Sequence, residues 1–74
     1  MIELYGKQNC GFCTQAMQLL EDNNIEYKKY IIDEHISRED FVSQFPDVRT
    51  VPLICINGKK LGGYQSLKEY LEKE

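Results

Sequence analysis

The sequence predicts an α/β fold, a four-stranded mixed sheet carrying three helices in the order β-α-β-α-β-β-α, and three features carry that expectation. Apolar residues alternate along the chain between short runs suited to strands and a 3.6-residue periodicity suited to helices. A helical stretch separates the first two strand-like runs, which implies a crossover and parallel pairing. Later, Asn57-Gly58 between two strand-like runs is a strong hairpin signal and makes the last two strands antiparallel.

Met1 to Tyr5 is apolar and β-compatible, and Gly6 is expected to end it before a loop running to Cys10. Cys13, Ala16, Met17 and Leu20 then fall at i, i+3, i+4 and i+7, one face of a helix, and Asn23-Asn24 supplies a left-handed stop. Ile25 to Ile32 reads as a strand near an edge, because Glu26, Lys28 and Lys29 interrupt its Ile and Tyr residues. Ser37-Arg38-Glu39-Asp40 has the form of a helix start, with Phe41, Val42 and Phe45 as its apolar face before Pro46. Val51 to Ile56 suits a buried strand, and Lys60-Leu61 a brief return strand after the turn. Gly62-Gly63 breaks the pattern, and Ser66-Leu67-Lys68-Glu69 reads as a capping box opening a last helix with Leu67, Tyr70 and Leu71 facing in.

At 74 residues the chain is expected to be one domain, residues 1–74, with a small core. With 42% hydrophobic and 28% charged residues it is expected to fold and to be soluble. A net charge of -3 with scattered Lys and Arg offers no basic stripe for nucleic acid and no polybasic face for a membrane, so neither partner is expected. Met1-Ile2-Glu3-Leu4-Tyr5 lacks a charged leader before a long apolar run, and no stretch reaches the ~18 apolar residues of a membrane span. The cytoplasm is therefore the expected location. Ordinary cysteines stay reduced there, which favours a catalytic or metal-binding role for a close cysteine pair over a structural disulfide. The odd count of three cysteines also argues against a disulfide framework.

That pair is Cys10-Gly11-Phe12-Cys13, at the carboxyl end of the first expected strand, where open α/β sheets place their ligands. A thiol at a helix N-terminus meets unpaired N–H groups and the positive end of the helix dipole, both of which favour thiolate; Cys10 has that position. Cys13, one turn inside, is within reach of a mixed disulfide on Cys10 and is expected to be more buried and less acidic. Lys7 adds a cation that suits a thiolate or an anionic substrate, or is simply a solvated loop lysine. Zinc is the rival reading: a structural site wants four protein ligands, and only His35 and Cys55 remain to complete one. Thr50-Val51-Pro52 heads the buried strand with a residue that has no N–H for the ladder. A cis bond there would suit pairing of Val51 with an extended substrate, although the local sequence alone favours an ordinary trans proline.

Taken together, Tyr5-Gly6-Lys7-Gln8-Asn9-Cys10-Gly11-Phe12-Cys13, Thr50-Val51-Pro52 and Leu61-Gly62-Gly63-Tyr64 resemble the glutaredoxins over nearly the whole chain. The resemblance implies a thioredoxin-like fold and a thiol-disulfide oxidoreductase of the dithiol type, acting in electron transport and cell redox homeostasis. In it, Cys10 attacks a disulfide, and Cys13 or glutathione resolves the mixed disulfide. It further implies glutathione as reducing co-substrate with no tightly bound cofactor and no metal. It implies protein disulfides or glutathione-mixed disulfides as substrates, ribonucleotide reductase being one candidate, and a protein that acts as a monomer. Lys7 and Phe12 would border the glutathione groove, Thr50 and Val51 would contact the tripeptide, and Pro52 would be cis. Arg49, just before Thr50, suits a substrate carboxylate or is simply a surface arginine with no specific role, and the resemblance implies that Gly63, Gln65 and Ser66 fall in the segment that holds the γ-glutamyl end. Many family members carry an aspartate pair where this chain has Gln65 and Ser66, and neutral groups forgo charge assistance toward an ammonium. Redoxins reduced directly by thioredoxin reductase are therefore one alternative.

The second alternative is a different class. Cys-Gly-Phe-Cys is one residue from the Cys-Gly-Phe-Ser of monothiol glutaredoxins that bridge an iron–sulfur cluster between protomers, so a cluster or zinc binding protein is also to be weighed. The short spacing from Lys7 to Cys10 and the absence of Trp disfavour it. Cys55 reads as a small buried hydrophobe, His35 as a solvated loop residue, and Phe41 and Phe45 as core.

Overall fold

The computed structural model describes residues 1–73. Strand β1 (Ile2–Gly6) leads into α1 (Gly11–Asp22), β2 (Tyr27–Ile31), α2 (Arg38–Gln44), β3 (Leu53–Ile56), β4 (Lys59–Gly62) and α3 (Tyr64–Glu72). The sheet order is β2-β1-β3-β4, with β1 parallel to β2 and antiparallel to β3, and β3 antiparallel to β4. The predicted element order and the mixed sheet are both present. β2 is an edge strand, as its two lysines imply, and Asn57 and Gly58 turn the hairpin with positive φ at both positions.

Strand alternation divides the core in two. Ile2 and Leu4 of β1 and Ile54 of β3 face α1 and α3, where they pack with Ala16, Leu20 and Leu67. Tyr5, Leu53 and Cys55 face the opposite side and pack with Phe41 of α2. On that side Tyr5 stacks on Tyr30 with centroids 5.0 Å apart and meets Phe45 edge-on at 5.0 Å. Such pairs add roughly 0.5–1.5 kcal/mol each beyond area burial, enough to matter beneath a helix of only seven residues.

Several boundaries differ from the sequence reading. Gly6 is the last residue of β1, paired with Ile31, instead of lying beyond the strand, and a side chain there would meet Cys13, whose Sγ lies 3.0 Å from an added Cβ. β2 is shorter than Ile25 to Ile32, and β3 starts at Leu53, since Pro52 cannot donate to the ladder. The N-cap of α2 is Ser37, as expected, its hydroxyl accepting from Asp40 N–H at 3.1 Å. Val42 does not join the core; it is 51% exposed, because Phe41 and Phe45 lie one turn apart on the buried face and Val42 is rotated away from it. The expected capping box at Ser66 is also wrong. α3 begins at Tyr64 with Gly63 as N-cap and no side-chain cap, and Ser66 packs against Gly62, where an added Cβ would come within 2.8 Å of the serine Cβ. Tyr70 is only half-buried, while Leu67 is fully buried.

Candidate active site

The site forms where β1 ends. Lys7, Gln8 and Asn9 make the connection, and Asn9 takes a left-handed φ of 57°, a conformation asparagine tolerates, which turns the chain into α1. Cys10 is the N-cap of α1 in extended geometry, and its Sγ accepts the Cys13 N–H at 3.3 Å. This thiol therefore sits against unpaired helix donors, and it is half-buried, open to a reactant. Thr14 Oγ1 donates to the Cys10 carbonyl at 3.2 Å and fixes the first turn.

Cys13 is fully buried. Burial pushes its thiol from 9.0 up to about 11, and hydrogen bonding to Cys10 pushes the same way, while the Lys7 backbone N–H works against both. Cys13 is thus held as a neutral thiol next to Cys10, with the slot left by Gly6 accommodating its sulfur.

Two open grooves meet at Thr50 and Val51. One, of about 460 Å³, is lined by Lys7, Ile32, Arg38, Phe41, Val42, Arg49, Thr50 and Val51. The other, of about 520 Å³, is lined by Phe12, Thr50, Val51, Pro52, Gly63, Tyr64, Gln65 and Ser66. Neither is lined by Cys10 itself; Lys7 and Phe12, on either side of it in sequence, line one groove each. The Val51-Pro52 bond is cis. The ladder of β3 begins at Leu53, so the backbone groups of Val51 lie outside the sheet, at the ridge between the grooves. Gly63 lies against this ridge, an added Cβ there coming 3.4 Å from the Pro52 carbonyl oxygen. Phe12 is 61% exposed and leans on Tyr64 with centroids 6.0 Å apart.

All eleven residues that the sequence singled out for the site are therefore at the two grooves or in the thiol pair. Arg38, Val42 and Tyr64 were not among them. Arg38, Phe41 and Val42 stand at i, i+3 and i+4 on α2 and all face the first groove, a spacing that the sequence displays. The zinc reading fails on position: Cys55 lies on the far face of the sheet with Tyr5, and His35 Nδ1 accepts the Ile31 N–H at 3.0 Å. Among the described residues no three His, Cys, Asp or Glu side chains gather as a metal site, and no helix is long and apolar enough to cross a membrane. His35 is thus tied to the end of β2, although it remains solvent-exposed.

Comparison with known proteins agrees with this geometry. The family model described as Glutaredoxin matches residues 2–61. The mitochondrial glutaredoxin-2 of Bos taurus is 35% identical over 65 residues, a match covering 84% of this chain and 41% of that protein, so the chain spans less than half the length of this relative. Glutaredoxin 1 from Francisella tularensis, solved in complex with cacodylate, superposes with a TM-score of 0.83 at 30% identity, covering 97% of this chain and 92% of that one. A buckwheat glutaredoxin–glutathione complex superposes with a TM-score of 0.80 at 25% identity, covering 97% of this chain and 68% of that one. With a thioredoxin-like sheet, an N-capping Cys10 backed by a buried Cys13, and a family match running from residue 2 to residue 61, this chain belongs to the glutaredoxins, a family of thiol-disulfide oxidoreductases.

Proposed function

We propose that residues 1–74 act as a single dithiol glutaredoxin domain that reduces protein disulfides and glutathione-mixed disulfides with glutathione as reductant. The observation that carries this reading is the pair of grooves meeting at Val51, one bearing cations and the other an uncapped helix start. Glutathione carries a carboxylate at each end and an ammonium at one. The glycyl carboxylate suits Lys7, Arg38 and Arg49. The γ-glutamyl end suits the start of α3, where Gly63 gives no side-chain cap and backbone N–H groups meet an anion. Between them an extended tripeptide can pair with the backbone of Val51 as an added strand would, and Phe12 and Tyr64 wall its thiol end. The buckwheat relative, solved as a complex with glutathione, supports glutathione as the ligand.

Reduction of the substrate runs in two exchanges. Cys10 thiolate attacks one sulfur of the substrate disulfide, that S–S bond breaks, and the other sulfur leaves as thiolate. Cys13, giving up its proton, attacks the mixed disulfide on Cys10, which releases reduced substrate and leaves a Cys10–Cys13 disulfide. Two glutathione thiols then return this disulfide to dithiol and leave as glutathione disulfide. Where the substrate is itself a glutathione adduct, a second glutathione can replace Cys13. Ribonucleotide reductase is one proposed substrate, a monomer the proposed active form, and the cytosol, with its reducing glutathione pool, the proposed compartment.

A coupled assay with glutathione, glutathione reductase and NADPH tests the reading. Turnover of a glutathionylated peptide is expected, and Cys13→Ser should retain it while losing most turnover of an intramolecular protein disulfide. Gln65 and Ser66, neutral at the γ-glutamyl end, favour one other reading, direct reduction by thioredoxin reductase. No turnover with glutathione together with turnover by that reductase would replace the first reading by the second.

A further inference from the structure

The γ-glutamyl groove contains no carboxylate: its lining residues are aromatic, aliphatic or neutral polar. A γ-glutamyl group carries an ammonium, and binding one in a groove without an anion forgoes most of the charge assistance such a contact offers. The structure nevertheless ties one carboxylate to this groove from outside it. Gln65 Nε2 donates to Glu69 Oε2 at 3.4 Å, a pair at i, i+4 on α3. Side chains on a helix lean toward its N-terminus, so Glu69 leans back toward Gln65 and the groove. With its N–H engaged by Glu69, the Gln65 amide has its carbonyl oxygen left to accept from a ligand, and the neighbouring anion polarises that acceptor.

We propose that Glu69 is a positioning residue for glutathione, acting through Gln65: it orients the amide carbonyl toward the ligand ammonium and supplies the negative charge that Gln65 and Ser66 lack. The proposal rests on the glutathione reading above and adds to it the residue that offsets the missing acidic groups. Glu69 is exposed, so the effect is that of a screened charge. A unit charge about 6 Å from an ammonium in a water-like medium changes affinity by about 3-fold.

The test compares two substrates: a peptide–glutathione mixed disulfide, and the same disulfide made with glutathione acetylated on its α-amino group. In low salt, Glu69→Gln should raise KM for the first about 3-fold with kcat unchanged, and leave KM for the acetylated substrate unchanged. The difference should fade in 0.5 M salt, roughly where charges more than ~4 Å apart are screened. Moving the carboxylate into the groove, in the Gln65→Glu, Glu69→Gln double variant, should restore the KM of the first substrate. An unchanged KM in Glu69→Gln, or an equal rise for both substrates, overturns the proposal while leaving the glutathione reading intact. No turnover of either substrate by the unsubstituted protein overturns the glutathione reading and the assignment of Glu69 with it.

Discussion

Cys13 as resolver must stay silent until a mixed disulfide forms beside it, and its reactivity toward an alkylating agent measures how silent it is. In Cys10→Ser the more accessible thiol of the pair is gone and the Cys13 side chain remains fully buried. Burial is the first cause of its rise from 9.0 to about 11, ahead of the hydrogen bond to Cys10, so most of the rise should survive the substitution. A rise of two units lowers the thiolate fraction by about 100-fold at any pH well below 9. Only thiolate reacts with iodoacetamide, so at pH 8 Cys13 in the folded variant should alkylate about 100-fold more slowly than in the same protein unfolded in urea, lack of access adding to lack of charge. Peptide mapping by mass spectrometry separates Cys13 from Cys55, and the Cys13 rate should climb until pH approaches 11. Alkylation at pH 8 within a factor of ten of the unfolded rate would refute the burial argument, and with it the account of Cys13 as a guarded second thiol.

Two further outcomes follow from the same geometry. Folding raises the acidities' midpoints of Cys13 to about 11 and of Tyr5 and Tyr27 from 10.0 to about 12, burial leading in each case, so the native state holds these protons more tightly than the unfolded one. Their stabilisation is therefore complete below pH 9 and is lost as pH climbs toward 12, with up to about 2.7 kcal/mol from Cys13 alone; urea unfolding at pH 8 and pH 10.5 should show the decline, and constant stability would contradict it. Leu20→Ala empties a site with no exposure between α1 and the sheet, and should cost about 2.7–5 kcal/mol, a large share of the roughly 4–11 kcal/mol that a chain of this length possesses, as a fall in urea midpoint at unchanged slope.

What could be read in the sequence was whatever is encoded over a few residues. The hairpin at Asn57-Gly58, the cap at Ser37 and the face of Cys13, Ala16 and Leu20 are local chemistry, and each is where its spacing indicates. The misreadings share a cause, which is that tertiary contact chose between local options. Ser66 has capping chemistry, but Gly62 offers a surface without a side chain, and Ser66 packs there inside the helix while Gly63 takes the cap. Val42 belongs to an apolar cluster in sequence, yet with Phe41 and Phe45 filling the space under α2 it is left to wall the groove beside Arg38. The local sequence around Val51 favours trans, whereas the bond is cis, as the family resemblance implied. At the site, the residues carried by the resemblance gather, and Arg38 was missed because a groove is a property of two elements brought together, here α2 and the loop after β1.

The same strand alternation that divides the core also decides which thiol can serve as resolver. On β1, Leu4 and the slot at Gly6 face α1, and it is there that Cys13 lies, close to Cys10 at the helix start. One residue out of phase, Glu3 and Tyr5 face the other way, and Glu3 pairs across the ladder with Cys55. Cys55 is as well buried as Cys13 and its thiol is likewise pushed up, by burial first and by the Glu3 carboxylate second. Burial and acidity alone therefore do not distinguish the two. Position does: a disulfide needs Cβ atoms about 3.5–4.5 Å apart with converging directions, and a bond from Cys55 to Cys10 or Cys13 would have to pass through the backbone layer of the sheet. Cys13 can exchange with Cys10 because one turn of α1 separates them on a single face, and the fold keeps the third thiol out of the cycle by placing it across the sheet.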